Sequence, residues 1–315
     1  MSPKSNHLSE AGRDCDVEFR TGLGPRCCAE RTRSRRNAVP PPRRLASPHE
    51  SAVQVSQAVM SQAASIEWWN KSLEEVGIHS MDRLIATDAD WSGVLQTGRE
   101  DLAQATSITD MKTGADRSVV EVGCGLGRMS AALADHFGRV VGIDIAPRLI
   151  EEAQQRNGNG RVSFEVADGI HLRPASLTEC DTIFSYEVFY YISPPVLTTY
   201  FRDAFGLLRA GGEFVFQLNL EPVRLSTQLS FLVRRILYAC GIKHWRGWPT
   251  GAGLRRYHHS PEWLHRTLSE IGFHVEKITG PTARQMWVVA VKPSRHRETL
   301  TAPRTDVRDD GVSLL

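Results

Sequence analysis

The sequence predicts an α/β fold, a three-layer αβα sandwich around a seven-stranded, mostly parallel sheet whose last strand is antiparallel. Three observations carry this prediction. Short apolar strands alternate along the chain with amphipathic helical segments, which is the pattern of a parallel sheet with helices on both faces. A glycine-rich loop directly follows the first strand. The last two strands are too close in sequence for a crossover helix, so they must pair as an antiparallel hairpin.

Each predicted strand is a short apolar or alternating run, as expected for strands that are buried on one or both faces. The turn Gly280-Pro281 joins the last two. The seven predicted strands cover residues 118–122, 139–144, 161–166, 181–185, 213–217, 273–278 and 285–291.

Apolar side chains at helical spacing predict four helices between these strands. Proline opens three of them, because its missing N–H has no intrahelical partner at the first helical position. A serine precedes two of those prolines as the cap residue. The helices run from Arg128 to Phe137, from Pro147, from Ser193-Pro194 to Gly211-Gly212, and from Ser260-Pro261 to Gly272.

Composition divides the chain into a polar leader, one domain and a polar tail. Residues 1–60 are rich in Arg, Ser, Pro and Ala, with too few large apolar side chains to fold, so we expect a disordered basic leader. An upstream extension with translation starting at Met60, a transit peptide and a nucleic-acid-binding arm are the alternatives. We expect one domain over residues 61–293, with a cap insertion around 221–258, and a disordered tail over 294–315.

Charge and cysteine usage limit the classes of partner. The formal net charge is +2, and ten Lys and Arg against six Asp and Glu in residues 1–50 leave the rest of the chain mildly acidic. This balance argues against a broad phosphate-binding face. The six cysteines show no CxxC or Cys/His metal spacing, so we predict no metal site and a reducing, cytoplasmic location. No apolar run reaches the roughly 18–20 residues that span a bilayer, and we expect a soluble protein.

The loop after the first strand reads Glu121-Val-Gly-Cys-Gly-Leu-Gly127. Glycines between a strand and a helix let the backbone approach a ligand closely, as in nucleotide sites. A dinucleotide fingerprint that starts at Gly123 requires glycine at position 128, and the chain has Arg128 there. The spacing therefore favours a nucleotide-like ligand and argues against a nicotinamide-dependent oxidoreductase.

This loop resembles motif I of the class I S-adenosylmethionine-dependent methyltransferases, and the resemblance covers roughly residues 117–220 and, more loosely, the chain to 293. The resemblance implies that Asp144 accepts hydrogen bonds from both ribose hydroxyls and that Asp168 accepts one from the adenine amine. The segment after the fourth strand, residues 185–191, would lie near the methionine end and the acceptor. The cofactor-binding residues implied are Glu121, Gly123, Cys124, Gly125, Gly127, Asp144, Ile145, Asp168, Gly169, Tyr186 and Glu187.

Three side chains are candidates for the base that an acceptor hydroxyl or protonated amine requires. His258 and His259 precede the Ser260 helix, in a connection that often lines the acceptor pocket of this family, and exposed or capping imidazoles are the alternative. Glu187 is the third candidate, and its alternative role is a structural or cofactor-side hydrogen bond.

Aromatic residues are the candidates for the acceptor pocket. Trp68 and Trp69 begin a helix ahead of the core, and an N-terminal helix often lids the site in this family. Tyr190 and Tyr191 follow the fourth strand, and ordinary packing is the alternative for all four. The basic amphipathic stretch over 224–253 can lie on a membrane or hold a lipid-like acceptor, but we favour a cap helix packed on its own domain.

We expect an enzyme that transfers a methyl group from S-adenosylmethionine to an O, N or C atom of a small or medium-sized organic acceptor. A non-catalytic S-adenosylmethionine-binding or regulatory protein on the same fold is the alternative, because the cofactor motifs do not separate the two. Nucleic acid is not the expected acceptor. The Asn/Asp-Pro-Pro-aromatic motif of adenine-N6 methyltransferases is replaced by Ser185-Tyr-Glu-Val-Phe, and the Pro-Cys pair of cytosine-C5 methylation is absent there.

Overall fold

The structure is a computed structural model, and every structural statement below concerns the residues that it describes. The predicted leader, Trp68 and the tail beyond Ser294 lie outside these residues. The described ranges are 66–67, 69–70, 91–220, 225–242, 244–245, 248–250, 257–282 and 285–294.

Seven strands form one sheet: β1 (Gly114–Val122), β2 (Phe137–Asp144), β3 (Val162–Val166), β4 (Cys180–Ser185), β5 (Leu208–Leu218), β6 (His274–Thr279) and β7 (Met286–Val291). Their order across the sheet is β3-β2-β1-β4-β5-β7-β6. β7 runs antiparallel to both of its neighbours, and the other adjacent pairs are parallel. The predicted fold class, with the last strand reversed, is confirmed.

Five helices cover the two faces of this sheet: α1 (Trp91–Thr109), α2 (Arg128–Leu133), α3 (Pro147–Arg156), α4 (Pro194–Leu207) and α6 (Pro261–Ile271). A further helix, α5 (Leu225–Ala239), lies between β5 and α6 in the sequence. Successive strand residues point to opposite faces, so β1 contributes to two separate cores. Val119 packs in a cluster with side chains of α1 and α2, whereas Val120 packs with side chains of α4 and α6. The result is the predicted three-layer arrangement.

The glycine pair Gly211-Gly212 lies inside β5, which corrects the prediction that it ends the preceding helix. α4 already ends at Leu207. The amide of Gly211 donates to the Lys292 carbonyl at 2.7 Å, and the Lys292 amide donates to the Gly212 carbonyl at 3.0 Å. Pairing with the chain just beyond β7 therefore extends β5 toward its start, and such a long-range contact has no local sequence signal.

Two further predictions on helix ends need correction. α2 ends at Leu133 instead of Phe137, because the amide of His136 turns back to the Leu133 carbonyl at 2.9 Å. Ser193 stands at the cap position of α4, but its side chain accepts no capping hydrogen bond. By contrast, Ser260 caps α6 as predicted, because its hydroxyl accepts from the amide of Trp263 at 3.1 Å.

α5 is the first element of the predicted cap insertion that the structure describes. Its apolar residues Leu225, Leu229, Leu232 and Ile236 are all more than half exposed. This face of α5 is exposed, whereas residues on its other side, such as Val233 and Leu237, are half-buried, and the cap role of the helix stays a prediction. Within the described ranges, every helix is too short or too polar to cross a membrane.

Candidate functional site

A pocket opens at the carboxyl ends of the parallel strands, beside the point where the strand order reverses between β1 and β4. Its walls come from the residues that follow β1, β2, β3 and β4, together with Trp69 and side chains from α1 to α4. In open α/β sheets this crevice is where ligands bind, because the loops there diverge to opposite faces.

The glycine loop forms the floor of the pocket. Gly123, Gly125 and Gly127 have φ angles of 78°, 53° and 82°, in the left-handed region that side chains rarely adopt. The amide of Gly123 donates to the Ile143 carbonyl at 2.8 Å, which ties the loop to the end of β2. A Cβ atom on Gly123 would lie 2.3 Å from Val188 Cγ2, so the loop after β4 packs directly on bare backbone.

Asp144, the last residue of β2, is held in place by backbone amides. One carboxylate oxygen accepts from Gly125 at 2.9 Å and the other accepts from Ala146 at 3.0 Å. Burial raises the pKa of Asp144 above its ordinary value, while these backbone amides oppose the increase. Each carboxylate oxygen can accept a further hydrogen bond, which suits a pair of neighbouring hydroxyl groups.

Glu121 is a buried carboxylic acid in the wall of the same pocket. Its side chain is 2% exposed and accepts a hydrogen bond from the Ser130 hydroxyl. Burial raises the pKa of Glu121 to about 7, although Ser130 and the Arg128 guanidinium both lower it. Arg128 forms an ion pair with Asp101, and its guanidinium lies 5.6 Å from the centre of the Tyr186 ring.

The charges around the pocket fit S-adenosylmethionine, which carries a sulfonium and an ammonium group. Glu121, Asp144 and Glu187 supply carboxylates, and the lining guanidinium of Arg128 is paired with Asp101. The lining therefore favours a positively charged ligand. The glycine loop beside Asp144 also suits a nucleoside. Glycine backbone lets the ligand approach closely, and the carboxylate can accept hydrogen bonds from the ribose hydroxyls.

Three aromatic side chains form part of the pocket wall. Trp69, Tyr190 and Tyr191 line the same pocket as the glycine loop. The ring centres of Trp69 and Tyr191 are 5.7 Å apart in an edge-to-face arrangement, and those of Tyr190 and Tyr191 are 4.6 Å apart. Glu187, which precedes Tyr190 and Tyr191 in the sequence, has a φ of 58°, an uncommon backbone conformation for a residue with a side chain.

Most of the residues predicted from the sequence share this pocket, but not all of them do. Gly127, Asp168, Gly169, His258 and His259 are outside the lining, and Trp68 lies outside the described residues. The predicted residues that line the pocket are Glu121, Gly123, Cys124, Gly125, Asp144, Ile145, Tyr186 and Glu187 on the cofactor side, and Trp69, Tyr190 and Tyr191 on the acceptor side.

Asp168 is engaged in a local turn. Its carboxylate accepts from the amides of Ile170 and His171, at 2.8 and 2.7 Å, and lies 2.8 Å from the His171 ring nitrogen. Its side chain is 54% exposed. The neighbouring Ala167 lines the pocket instead, so an adenine contact of Asp168 stays a prediction.

The two histidines lie in different surroundings. His258 is exposed, whereas His259 is 2% exposed and its ring centre lies 5.1 Å from that of Trp263. Neither ring nitrogen of His259 has a hydrogen-bond partner among the described residues. Burial, assisted by His258, lowers the pKa of His259 to about 4, so its imidazole is neutral near pH 7. A base role for either residue stays a prediction.

Several lining residues were not predicted. Apart from Arg128, they are apolar or aromatic side chains whose sequence pattern indicates core packing, and no local motif separates a pocket wall from a core. Tyr200, for example, lies on the apolar stripe of α4 and still reaches the pocket. The unpredicted lining residues are Val94, Val122, Leu126, Arg128, Met129, Ile143, Leu149, Ala167, Val188, Ile192 and Tyr200.

Comparison with known proteins identifies the type of domain. A family model described as "Methyltransferase domain" matches residues 119–212. The mitochondrial ubiquinone biosynthesis O-methyltransferase of Mus musculus is 25% identical over 283 residues, which cover 87% of this chain and 69% of that protein. The 18S rRNA (guanine-N(7))-methyltransferase of Bos taurus is 30% identical over 119 residues, or 35% of this chain. The chain spans less than half the length of two of the curated relatives that it matches, at 42% each.

A solved structure shows the same fold. Phosphoethanolamine N-methyltransferase 1 of Haemonchus contortus, in complex with phosphoethanolamine and S-adenosylhomocysteine, has a TM-score of 0.54 at 17% identity. The match covers 78% of this chain and 52% of that one. The segment matched by the family model runs from β1 to the start of β5 and contains the loops that build the pocket. Residues 119–212 are therefore similar to the methyltransferase domain, on a fold that is shared with an S-adenosylmethionine-dependent methyltransferase.

Proposed function

We propose that this protein transfers a methyl group from S-adenosylmethionine to an O, N or C atom of a small or medium-sized organic acceptor. One observation carries the proposal. The glycine loop and Asp144, on the cofactor side, line a single pocket with the aromatic residues Trp69, Tyr190 and Tyr191. A donor and an acceptor held in one enclosed pocket can react without diffusing apart, and orientation of this kind contributes several kcal/mol or more.

The cofactor and the residues around the pocket would each have a separate role in methyl transfer. S-adenosylmethionine supplies a methyl group already activated by the sulfonium. Asp144 would accept hydrogen bonds from the ribose, and Glu121 would favour the positive charge of the ligand. The aromatic side chains would exclude water and hold a flat or apolar acceptor.

Glu187 is the residue that we assign as proton acceptor if the acceptor is a hydroxyl or a protonated amine. Of the three predicted catalytic side chains, only Glu187 lines the pocket. Among the described residues, its carboxylate takes part in no hydrogen bond or ion pair. An unengaged carboxylate beside the acceptor-side aromatic residues is suitably located to receive a proton.

The size of the acceptor is inferred from the aromatic walls. The rings of Trp69 and Tyr191 meet edge to face in the pocket wall, and packed aromatic side chains of this kind suit a flat or apolar acceptor of limited size. The similarity to an O-methyltransferase over 87% of the chain supports an organic acceptor more than the similarity to an rRNA methyltransferase over 35%. RNA is nevertheless included as a possible acceptor in the experiment below.

The function is tested by incubating the protein with labelled S-adenosylmethionine and either a metabolite extract or total RNA. We expect label in a small organic product and release of S-adenosylhomocysteine. Glu187→Gln should turn over about 100-fold more slowly with a much smaller loss of cofactor affinity, because positioned general bases contribute roughly 10²- to 10⁴-fold. His258→Ala is the matched control and should keep wild-type turnover. Label in RNA alone would contradict the proposed acceptor, and tight cofactor binding without any product would favour the non-catalytic alternative.

Cofactor affinity should depend on pH through Glu121. The pKa of this carboxyl is about 7 in the free protein, so it is mostly neutral at pH 6. A cationic ligand favours the ionised form, so binding releases a proton, and affinity should rise by up to about tenfold between pH 6 and 7.5. Calorimetric titration at several pH values measures this. Glu121→Gln should show a flat profile over the same range, and an equal slope in both proteins would assign the titration to another group.

A further inference from the structure

The largest exposed apolar surface among the described residues lies on α5 and the residues just after it. Six large apolar side chains are exposed among the described residues, and five of them fall between Leu225 and Ile242. The α5 members are Leu225, Leu229, Leu232 and Ile236, with exposed fractions of 82%, 61%, 51% and 55%. Their spacing of i, i+4, i+7 and i+11 puts them on one side of the helix. We name these four residues the α5 stripe.

The sequence segment that contains α5 carries only positive formal charge. Residues 222–256 contain seven Lys and Arg and no Asp or Glu, in a chain whose net charge is only +2. Within α5, Arg235 is exposed, and Arg234 lies 5.5 Å from the centre of the Trp245 ring. An apolar stripe within a cationic segment complements an anionic lipid surface, into which leucine side chains insert while arginines meet headgroups.

This segment leaves and rejoins the domain beside the pocket. The chain departs after Asn219, whose carbonyl accepts from the amide of His259 at 3.3 Å when the chain returns. The amide of Tyr257 donates to the carbonyl of Tyr190, a residue of the pocket lining, at 2.7 Å. A surface bound by α5 would therefore be connected to the acceptor side of the pocket by a few residues.

We propose that the α5 stripe is a docking surface for an anionic lipid bilayer, with α5 lying in the plane of the membrane interface. A second copy of the chain fits less well. A helix of 15 residues is roughly 22 Å long and about 10 Å wide, so the stripe offers on the order of 200 Å² per partner. Stable dimers bury about 800 Å² on each side. Two copies would also bring two strongly cationic segments together.

The test is co-sedimentation of the full chain with phosphatidylglycerol/phosphatidylcholine vesicles, compared with pure phosphatidylcholine vesicles. We expect at least about tenfold stronger partitioning to the anionic vesicles, and weaker partitioning as salt is raised. Leu229→Gln combined with Ile236→Gln should reduce it by about tenfold or more. Arg235→Gln alone should reduce it about fivefold, since one basic residue near such a surface contributes about that factor.

Matched controls distinguish membrane docking by the α5 stripe from non-specific adsorption to vesicles. Val166→Gln removes an exposed apolar side chain of similar exposure, 53%, outside the stripe, and Arg202→Gln removes an exposed arginine on α4. Neither should change partitioning, and light scattering should show the same molecular mass for all variants. The proposal is overturned by equal binding to neutral vesicles, by unchanged binding of the stripe variants, or by a dimer that the stripe variants dissociate. Because the readout is partitioning, its outcome is independent of methyl transfer.

Discussion

Gly123→Ala should abolish measurable S-adenosylmethionine binding and destabilise the domain by roughly 2–4 kcal/mol. Gly123 has a φ of 78°, where a Cβ costs on the order of 1–2 kcal/mol. That Cβ would lie 2.3 Å from one Cγ atom of Val188 and 2.8 Å from the other, so the short, branched side chain cannot move out of the way. Val188 lines the pocket, and any shift that relieves the contact displaces the loop after β4. Calorimetric titration measures the affinity, and chemical denaturation measures the free energy of unfolding.

Two variants separate crowding from backbone strain. Gly211 has a nearly identical φ of 80°, and a Cβ there would meet nothing within 4 Å, so Gly211→Ala should cost only the backbone strain of roughly 1–2 kcal/mol and bind the cofactor normally. Adding Val188→Ala to Gly123→Ala removes both Cγ atoms and should restore part of the stability. If Gly123→Ala alone bound the cofactor as tightly as the wild type, close packing of the two loops would not be required for the site.

Asp144→Ala should weaken S-adenosylmethionine binding by about 5- to 150-fold, which corresponds to roughly 1–3 kcal/mol for lost hydrogen bonds to a charged group. The change removes the acceptor for ribose hydroxyls. It also leaves the amides of Gly125 and Ala146 without the carboxylate that holds the glycine loop. Equilibrium dialysis with labelled cofactor measures the dissociation constant, and thermal unfolding verifies that the variant is folded.

Asp144→Asn and Asp168→Ala are the informative comparisons. The amide of Asn retains one acceptor oxygen and lacks the charge, so its affinity should fall between those of the wild type and Asp144→Ala. Asp168→Ala should have a smaller effect than Asp144→Ala, because the Asp168 carboxylate is occupied by Ile170 and His171 at an exposed turn. An unchanged dissociation constant in Asp144→Ala would refute the ribose role.

The sheet could be predicted almost completely because its central strands are buried on two faces and read as apolar runs, whereas the edge strand β3 alternates between apolar and polar residues. The errors lie where a long-range contact overrides a local signal. The pair Gly211-Gly212 indicates a helix end, but backbone hydrogen bonds with Lys292 make it part of β5. Helical spacing continues through Phe137, but Phe137 is the first residue of β2, so α2 ends at Leu133.

The sequence by itself identified the glycine loop that binds the methyl donor. Three glycines within seven residues indicate a backbone with positive φ angles, which residues with side chains rarely adopt. The family resemblance also indicated Asp144, the last residue of β2. Only the tertiary structure decided which distant residues share the pocket. Strand order brings the loop after β4, with Glu187 and Tyr191, beside the glycine loop, and it leaves His259 buried away from the pocket. Exposure of the α5 stripe was decided in the same way, since an amphipathic pattern specifies an apolar face but not what covers it.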